Sequence, residues 1–165
     1  MQYEDVYLKG LFAKVKTIAI VGASNKNIRP SYFVQQYLIQ KGFEVYPINP
    51  GLAGKEILGR KVYGSLQEVP VSIDMVDIFR NSDAAMGIVA ESLALSPLPK
   101  VIWMQLSVIN HDAAKLAEKQ GVEVVMDRCP KIEYGRLSGE IGWMGVNRGI
   151  ISSKKQVMRN KLNKA

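Results

Sequence analysis

The sequence predicts an α/β fold: a parallel sheet of about five strands with helices on both faces. Three observations predict it. Five short apolar runs, rich in β-branched residues, recur along the chain, as in strands covered on both faces. Segments with helical periodicity separate them. Glycines, prolines and capping residues fall at the joints. The 165 residues, 47% of them apolar, suffice for one domain with a sizeable core. No internal repeat or low-complexity linker divides the chain, so residues 1–137 are expected to be the domain and 138–165 a Gly-rich, then basic, extension.

The elements follow in order. Residues 3–15 suit a short amphipathic helix on the sheet edge, with Tyr7 and Leu11 on one face, Leu8, Phe12 and Val15 on another, and Gly10 as its weak point. The first strand covers about 17–22. Pro30 suits the first position of a helix to about Lys41, with Phe33, Val34, Tyr37 and Leu38 as its apolar face and Gly42 as its stop. Phe43–Ile48 is the second strand, ending in the turn Asn49-Pro50-Gly51. Residues 51–64 are irregular and lid-like, with one short extended piece. Ser65–Glu68 has capping-box spacing for a short helix that Pro70 ends. The third strand is about 75–79. Asn81, Ser82 and Asp83 are cap candidates for a helix to about Leu95, with Met86, Val89 and Leu93 inward. The fourth strand is about 100–104. Asn110 caps a helix to about Gln120 with Ala113, Leu116 and Ala117 inward, and the fifth strand is about 122–126. A turn of helix is expected at 131–137, and the basic end has helical character from about Ser152.

Composition excludes several classes. No apolar run is long enough to span a bilayer. The acidic N-terminus lacks the apolar core of a secretory signal, and a single cysteine, Cys129, suits a reducing cytoplasm. One His and one Cys argue against a structural zinc site. Much of the net charge of +7 sits in 138–165, where six basic residues face Glu140 alone. A solvated tail accounts for that. Contact with nucleic acid or an anionic surface is the sharper alternative, but no aromatic residue follows Trp143 and no nucleic-acid motif is present.

Ligands of parallel α/β sheets bind beyond the C-terminal strand ends. Five segments should meet there: Gly22-Ala23-Ser24, Asn49-Pro50, Phe79-Arg80-Asn81, Trp103–Gln105 and Arg128-Cys129. The first leads to a helix N-terminus, where free backbone N–H groups and the helix dipole favour a phosphate. A dinucleotide fingerprint would need glycines where Ser24 and Asn27 stand, and an acid where Asn49 stands. A P-loop is excluded because Gly54-Lys55 is followed by Glu56. Hydroxyls at Ser24 and Ser31, with Arg29 and Arg80, suit a ligand with several phosphates.

The segments IAIVGAS…RPS, VYPINP, LGRKVYGSLQEVP, DMVDIFRNS, VIWMQLSV and VVMDRCPKIEYGRL resemble the stand-alone CoA-binding proteins. These are single Rossmann-like domains related to the CoA-binding domain of the succinyl-CoA synthetase α subunit. The resemblance covers about Thr17–Leu137. It implies a nucleotide-type ligand, coenzyme A or an acyl-CoA. The GAS turn and the residues after it would hold the pyrophosphate, the INP turn would lie by the adenine-ribose portion, and FR and W-x-Q would border pantetheine. Carried over, the contacts are Gly22, Ala23, Ser24, Arg29, Ser31, Asn49, Pro50, Phe79, Arg80, Trp103 and Gln105.

Cys129 joins them as a thiol near the CoA sulfur, with Arg128 and a helix start to lower its pKa; a buried inert thiol is the alternative. The chain departs from the family at Ser107, where glycine is common, and at Tyr134-Gly135-Arg136, where a histidine is often found. The synthetase's phosphorylated histidine has no counterpart; His111, the sole histidine, falls in the first turn of a helix and reads as a surface residue.

No nucleophile–base–orienter set is visible, so no catalytic or metal residues are assigned. A structural role is expected for Asp74 and Asp77. The expected function is a CoA-binding or regulatory module without its own chemistry. The alternatives are an NAD(P)-dependent oxidoreductase and an acyl-CoA transferase or ligase component. A homo-oligomer stays open.

Overall fold

The structure, a computed structural model, describes residues 1–139. The basic tail and its expected helix lie outside the described residues. Five parallel strands form the sheet: β1 (Thr17–Val21), β2 (Glu44–Ile48), β5 (Met75–Ile78), β6 (Val101–Met104) and β7 (Glu123–Val125). Their order is β2-β1-β5-β6-β7. Two further strands, β3 (Glu56–Ile57) and β4 (Arg60–Lys61), pair antiparallel as a small hairpin. The helices are α1 (Asp5–Ala13), α2 (Pro30–Gln40), α3 (Ser82–Leu93), α4 (His111–Glu118) and α5 (Pro130–Leu137). Among them no helix is long and apolar enough to cross a membrane.

Strand parity divides the core. Ala19, Val76, Ile78, Ile102 and Met104 face α3 and α4, where Ala85, Ile88, Val89, Ala113, Ala114 and Ala117 meet them. Ile18, Ile20, Met75, Trp103 and Val125 face the other way, against Leu8, Leu11 and Phe12 of α1 and Val34 and Leu38 of α2. Helix α1 therefore packs on a sheet face beside α5, not along the edge. Phe12 stacks at 5.3 Å from Trp103, and the Tyr7 hydroxyl donates to Glu123 of the edge strand β7.

Four expectations change. The lid-like loop is an ordered structure: a 3₁₀ turn at Pro50–Leu52, then the hairpin, with Ile57 and Val62 buried. Its return strand lies against β2, through Tyr63 N–H to the Pro47 carbonyl and Asn49 N–H to the Tyr63 carbonyl, and so covers a sheet edge. The helix after Ser65 is only a 3₁₀ turn, Leu66–Glu68, because Pro70 leaves no room for an α-turn. Its capping box does not close: the Glu68 carboxylate accepts from Gly64 N–H instead, at 2.8 Å. Leu116 is exposed and Phe33 is 45% exposed, while Ala114 and Gln35 take the inward positions. On α3 the deepest residues are Ala85, Ile88, Val89 and Ser92, with Met86 and Leu93 half-buried. His111 is exposed at the start of α4, as expected.

Ser107 adopts φ +67°, the left-handed region where glycine costs least, and its N–H donates to the Asp127 carboxylate at 2.8 Å. The glycine that the resemblance leads one to expect here would thus have a backbone reason.

At the N-terminal end of the sheet, Asp74 ties three strands together. Its carboxylate accepts from the N–H groups of Lys16 (2.8 Å) and Thr17 (3.2 Å) and pairs with Lys100 Nζ at 3.0 Å. Partial burial alone would raise its pKa, but Lys100 and the two amides outweigh burial and hold it below the usual carboxylate range. The stability Asp74 contributes is present above the unfolded carboxyl's pKa, near 4, and is lost as pH falls through the lower folded value. We expect Asp74→Ala to cost about 2–3 kcal/mol at pH 7 by urea denaturation, with the difference shrinking in strong acid.

Candidate functional site

The strand order changes direction between β1 and β5: α2 leaves β1 on one face, while α3 and α4 cross on the other. This is the topological switch point, where a crevice opens at the C-terminal strand ends. Gly22 sits in it at φ +89°. A Cβ there would come within 2.8 Å of the Phe79 carbonyl oxygen and 3.0 Å of Arg80 Cδ, so only glycine lets the two strand ends approach this closely.

The turn after β1 is fixed from two sides. Gly22 and Ala23 N–H both donate to the Ile48 carbonyl, at 3.0 and 3.2 Å. Asn49 donates from Nδ2 to the Ala23 carbonyl at 2.8 Å and accepts from Gly51 N–H at 2.9 Å. Ser24 Oγ accepts from Lys26 N–H at 3.1 Å, which orders the loop and leaves the hydroxyl proton to donate outward. Arg29 is the N-cap of α2 and makes no side-chain cap, and Pro30 occupies the first turn. Arg29 and Arg80 are both exposed, and among the described residues no ion pair holds either one. Pro50 is exposed beside Asn49, and Ser31 is buried in the first turn of α2.

A cleft of about 520 Å³ opens between α2 and the start of α5, within the roughly 300–1,000 Å³ range of small-ligand pockets. Phe79, Arg80, Gln105 and Cys129 line it. So do residues that the sequence reading did not single out for the site, among them Phe33, Leu106, Lys131 and Ile132. The exposure of Phe33, expected in the core, is what makes it a wall. Trp103 does not reach the cleft. It is fully buried, with its indole N–H donating to the Arg128 carbonyl at 2.8 Å. A second cavity of about 480 Å³, between α1 and the end of α5, contains none of the expected site residues.

Arg128 does not activate Cys129. Its guanidinium turns away, donating to the carbonyls of Asp127 and Met1 and lying 5.5 Å from the Tyr3 ring. Burial pushes the Cys129 thiol up, and Asp77 adds to the rise; the amides of Lys131 and Ile132 oppose it without prevailing. Of the two readings of Cys129, the structure has the buried thiol and not the lowered pKa, because the cation points outward while the sulfur lies inside.

Asp77 is the residue the site reading missed. It is fully buried on β5, flanked in register by Ile20 and Trp103. Gln105 Nε2 donates to both its oxygens, at 2.9 and 3.1 Å. Burial pushes its carboxyl up to about 8, against those hydrogen bonds. The signal in the sequence was parity: Met75, Asp77 and Phe79 share a face, so an acid inside an otherwise apolar strand had to point into the core below the cleft.

Residues 16–135 match the CoA binding domain family. The protein YneT of Bacillus subtilis is 35% identical over 127 residues, covering 77% of this chain and 91% of that one. A solved structure from Thermus thermophilus superposes with TM-score 0.77 at 34% identity, covering 82% of this chain and 99% of its own. A 75-residue stretch is 40% identical to the α subunit of acetate–CoA ligase (ADP-forming) I of Pyrococcus furiosus, covering 43% of this chain but only 16% of the ligase subunit.

The proton on Asp77 gives a test of the core. The folded chain keeps it to about pH 8, while the unfolded carboxyl releases it near 4. Between those values the folded state binds more protons, so stability falls as pH rises from about 4 to about 8 and is flat beyond. Asp77→Asn removes that loss. Its melting-temperature advantage over the parent, read by calorimetry, should widen across this window.

Proposed function

The chain belongs to the CoA-binding domain family, and on that premise we propose that it binds coenzyme A or an acyl-CoA at the C-terminal strand ends. One observation carries the placement: cations stand around a cleft whose walls are largely apolar, with Lys131 as well as Arg80 on its lining. Arg29, Arg80 and the uncapped N-terminus of α2 stand at the rim, beside a cleft walled by Phe33, Phe79, Leu106 and Ile132. Phosphates favour the first environment, through charge-assisted hydrogen bonds and free backbone N–H groups. An apolar arm favours the second. A ligand with a polyanionic head and a long, weakly polar arm matches both. In this reading Gly22, Ala23, Ser24, Arg29 and Ser31 serve the pyrophosphate, Asn49 and Pro50 the adenine-ribose side, and Phe79, Arg80, Gln105 and Cys129 the pantetheine side. Trp103 supports the wall from beneath.

The function is binding or regulation rather than chemistry of its own. Asp77 beneath the cleft and Cys129 on its wall both hold their protons more tightly than usual. Among the described residues neither has a partner arranged as general base and nucleophile require. The ligase relationship supports the choice of ligand, and the short share of that subunit which this chain spans keeps the ligase reaction out of the proposal.

Thermal shift decides among ligands. CoA at a hundredfold excess over Kd should stabilise by about 2.7 kcal/mol, whereas NAD at the same concentration should leave the melting point in place; the reverse order overturns the reading. Arg29→Ala should weaken CoA binding by about 1.5–3 kcal/mol in isothermal titration, the worth of one charge-assisted hydrogen bond.

A further inference from the structure

We infer that Asp77, acting through Gln105, sets the hydrogen-bond polarity of the inner end of the cleft and so discriminates a thioester carbonyl from a free thiol. The inference rests on the CoA reading and deepens it. Gln105 is 6% exposed and lines the cleft, while its Nε2 is committed to both oxygens of Asp77. Among the described residues nothing donates to Gln105 Oε1. A side-chain amide has one donor end and one acceptor end. In the structure Asp77 holds the donor end, and Oε1 is the end left over.

The state of Asp77 decides between them. A carboxylate can only accept, so it takes Nε2, as in the structure, and Oε1 is the end left over on the residue that lines the cleft. Oε1 there opposes the lone pairs of a thioester oxygen. A carboxylic acid donates. Its O–H takes Oε1 once the amide turns over, its other oxygen keeps one N–H of Nε2, and the second N–H is presented to the cleft as a donor for that same oxygen. Nothing else changes: no chain movement is needed, and one proton is gained or lost at a carboxyl that solvent does not reach.

The surroundings bring both states into range. Ile20 of β1 and Trp103 of β6 flank Asp77 and do not titrate. From α1 and α2 the same core receives Phe12 and Val34. From the head of α5 the facing titratable group is Cys129, whose thiol burial pushes up; Lys131 beyond it acts on that sulfur. Burial dominates at Asp77 and pushes the carboxyl up to about 8, so the acid form prevails at neutrality and the carboxylate above. Asp77 is a positioning residue here: it touches Gln105 and not the ligand.

The test is isothermal titration of the full chain with acetyl-CoA and with adenosine 3′,5′-diphosphate, at pH 7 and pH 9, for the parent and Asp77→Asn. The diphosphate lacks the arm and reports only the rim. If the acid form alone accepts the thioester, the competent fraction falls about tenfold across a pKa of about 8. The parent should lose about tenfold in acetyl-CoA affinity relative to the diphosphate between pH 7 and pH 9. Asp77→Asn has no proton to lose, so its ratio should stay constant. Equal pH dependence in the two proteins overturns the inference while leaving the CoA reading intact. Absence of binding by either probe to the parent overturns the CoA reading and this inference with it.

Discussion

The contact on which the rest depends is the approach of Gly22 to the Phe79 carbonyl. Two parallel strands, β1 and β5, run side by side and send their helices to opposite faces. The crevice between those helices is as narrow at its root as the two strand ends permit. With Cβ excluded at Gly22 by the 2.8 Å approach, the backbone turns immediately over Arg80 and the loop to α2 starts at the sheet surface. Asn49 completes the construction from the third strand end. It both donates, to Ala23, and accepts, from Gly51. A carboxylate can only accept, so an aspartate here would leave the Ala23 carbonyl without this donor. The amide that weakens the dinucleotide fingerprint is thus needed by the turn itself.

Much of this was legible because it is local. The five strands show as apolar runs, and Pro30, Asn81 and Asn110 mark helix starts where the structure has them, the two asparagines capping Ala84 and Ala113 N–H. What was not legible depends on partners distant in sequence. The β3–β4 hairpin has two-residue strands, too short for periodicity, and exists because its return strand covers the edge of β2. Phe33 fits the apolar face of an isolated α2, yet the helix is rotated so that Ser31, Val34, Gln35 and Leu38 are inside. The amide of Gln35 explains that rotation in part: Nε2 donates to the Ile57 carbonyl in the hairpin, a contact no window along α2 contains. The positions of the site turns were readable from topology. Which of them wall the cleft was not, because that depends on how α2 and α5 stand over the sheet.

Charge is sorted by depth in the same crevice. Arg29 and Arg80 are exposed, with Arg80 also on the cleft lining. Asp77 and Cys129 are inside, and burial drives both towards their neutral forms. Arg128 could have broken this pattern by lying over the thiol. It is drawn instead to the N-terminal segment, where Met1, Tyr3 and the Asp127 carbonyl receive it. The outward turn of one arginine therefore leaves the thiol without that cation, and burial prevails over Lys131.

A buried acid inside such an interior is a departure from what the fold alone favours. Met75 on the same strand face shows what packing there prefers, and an aliphatic side chain at position 77 would avoid desolvating a carboxyl. Gln105 satisfies the acid, but Gln105 would itself need no partner if it lay in water. The two residues explain one another only as a pair, and the cleft meets that pair at Gln105. A polar couple that costs stability and meets the cleft at one residue has its consequence at that residue. The inferred discrimination therefore falls at Gln105, with Asp77 as the group that orients it, rather than at the more conspicuous thiol of Cys129.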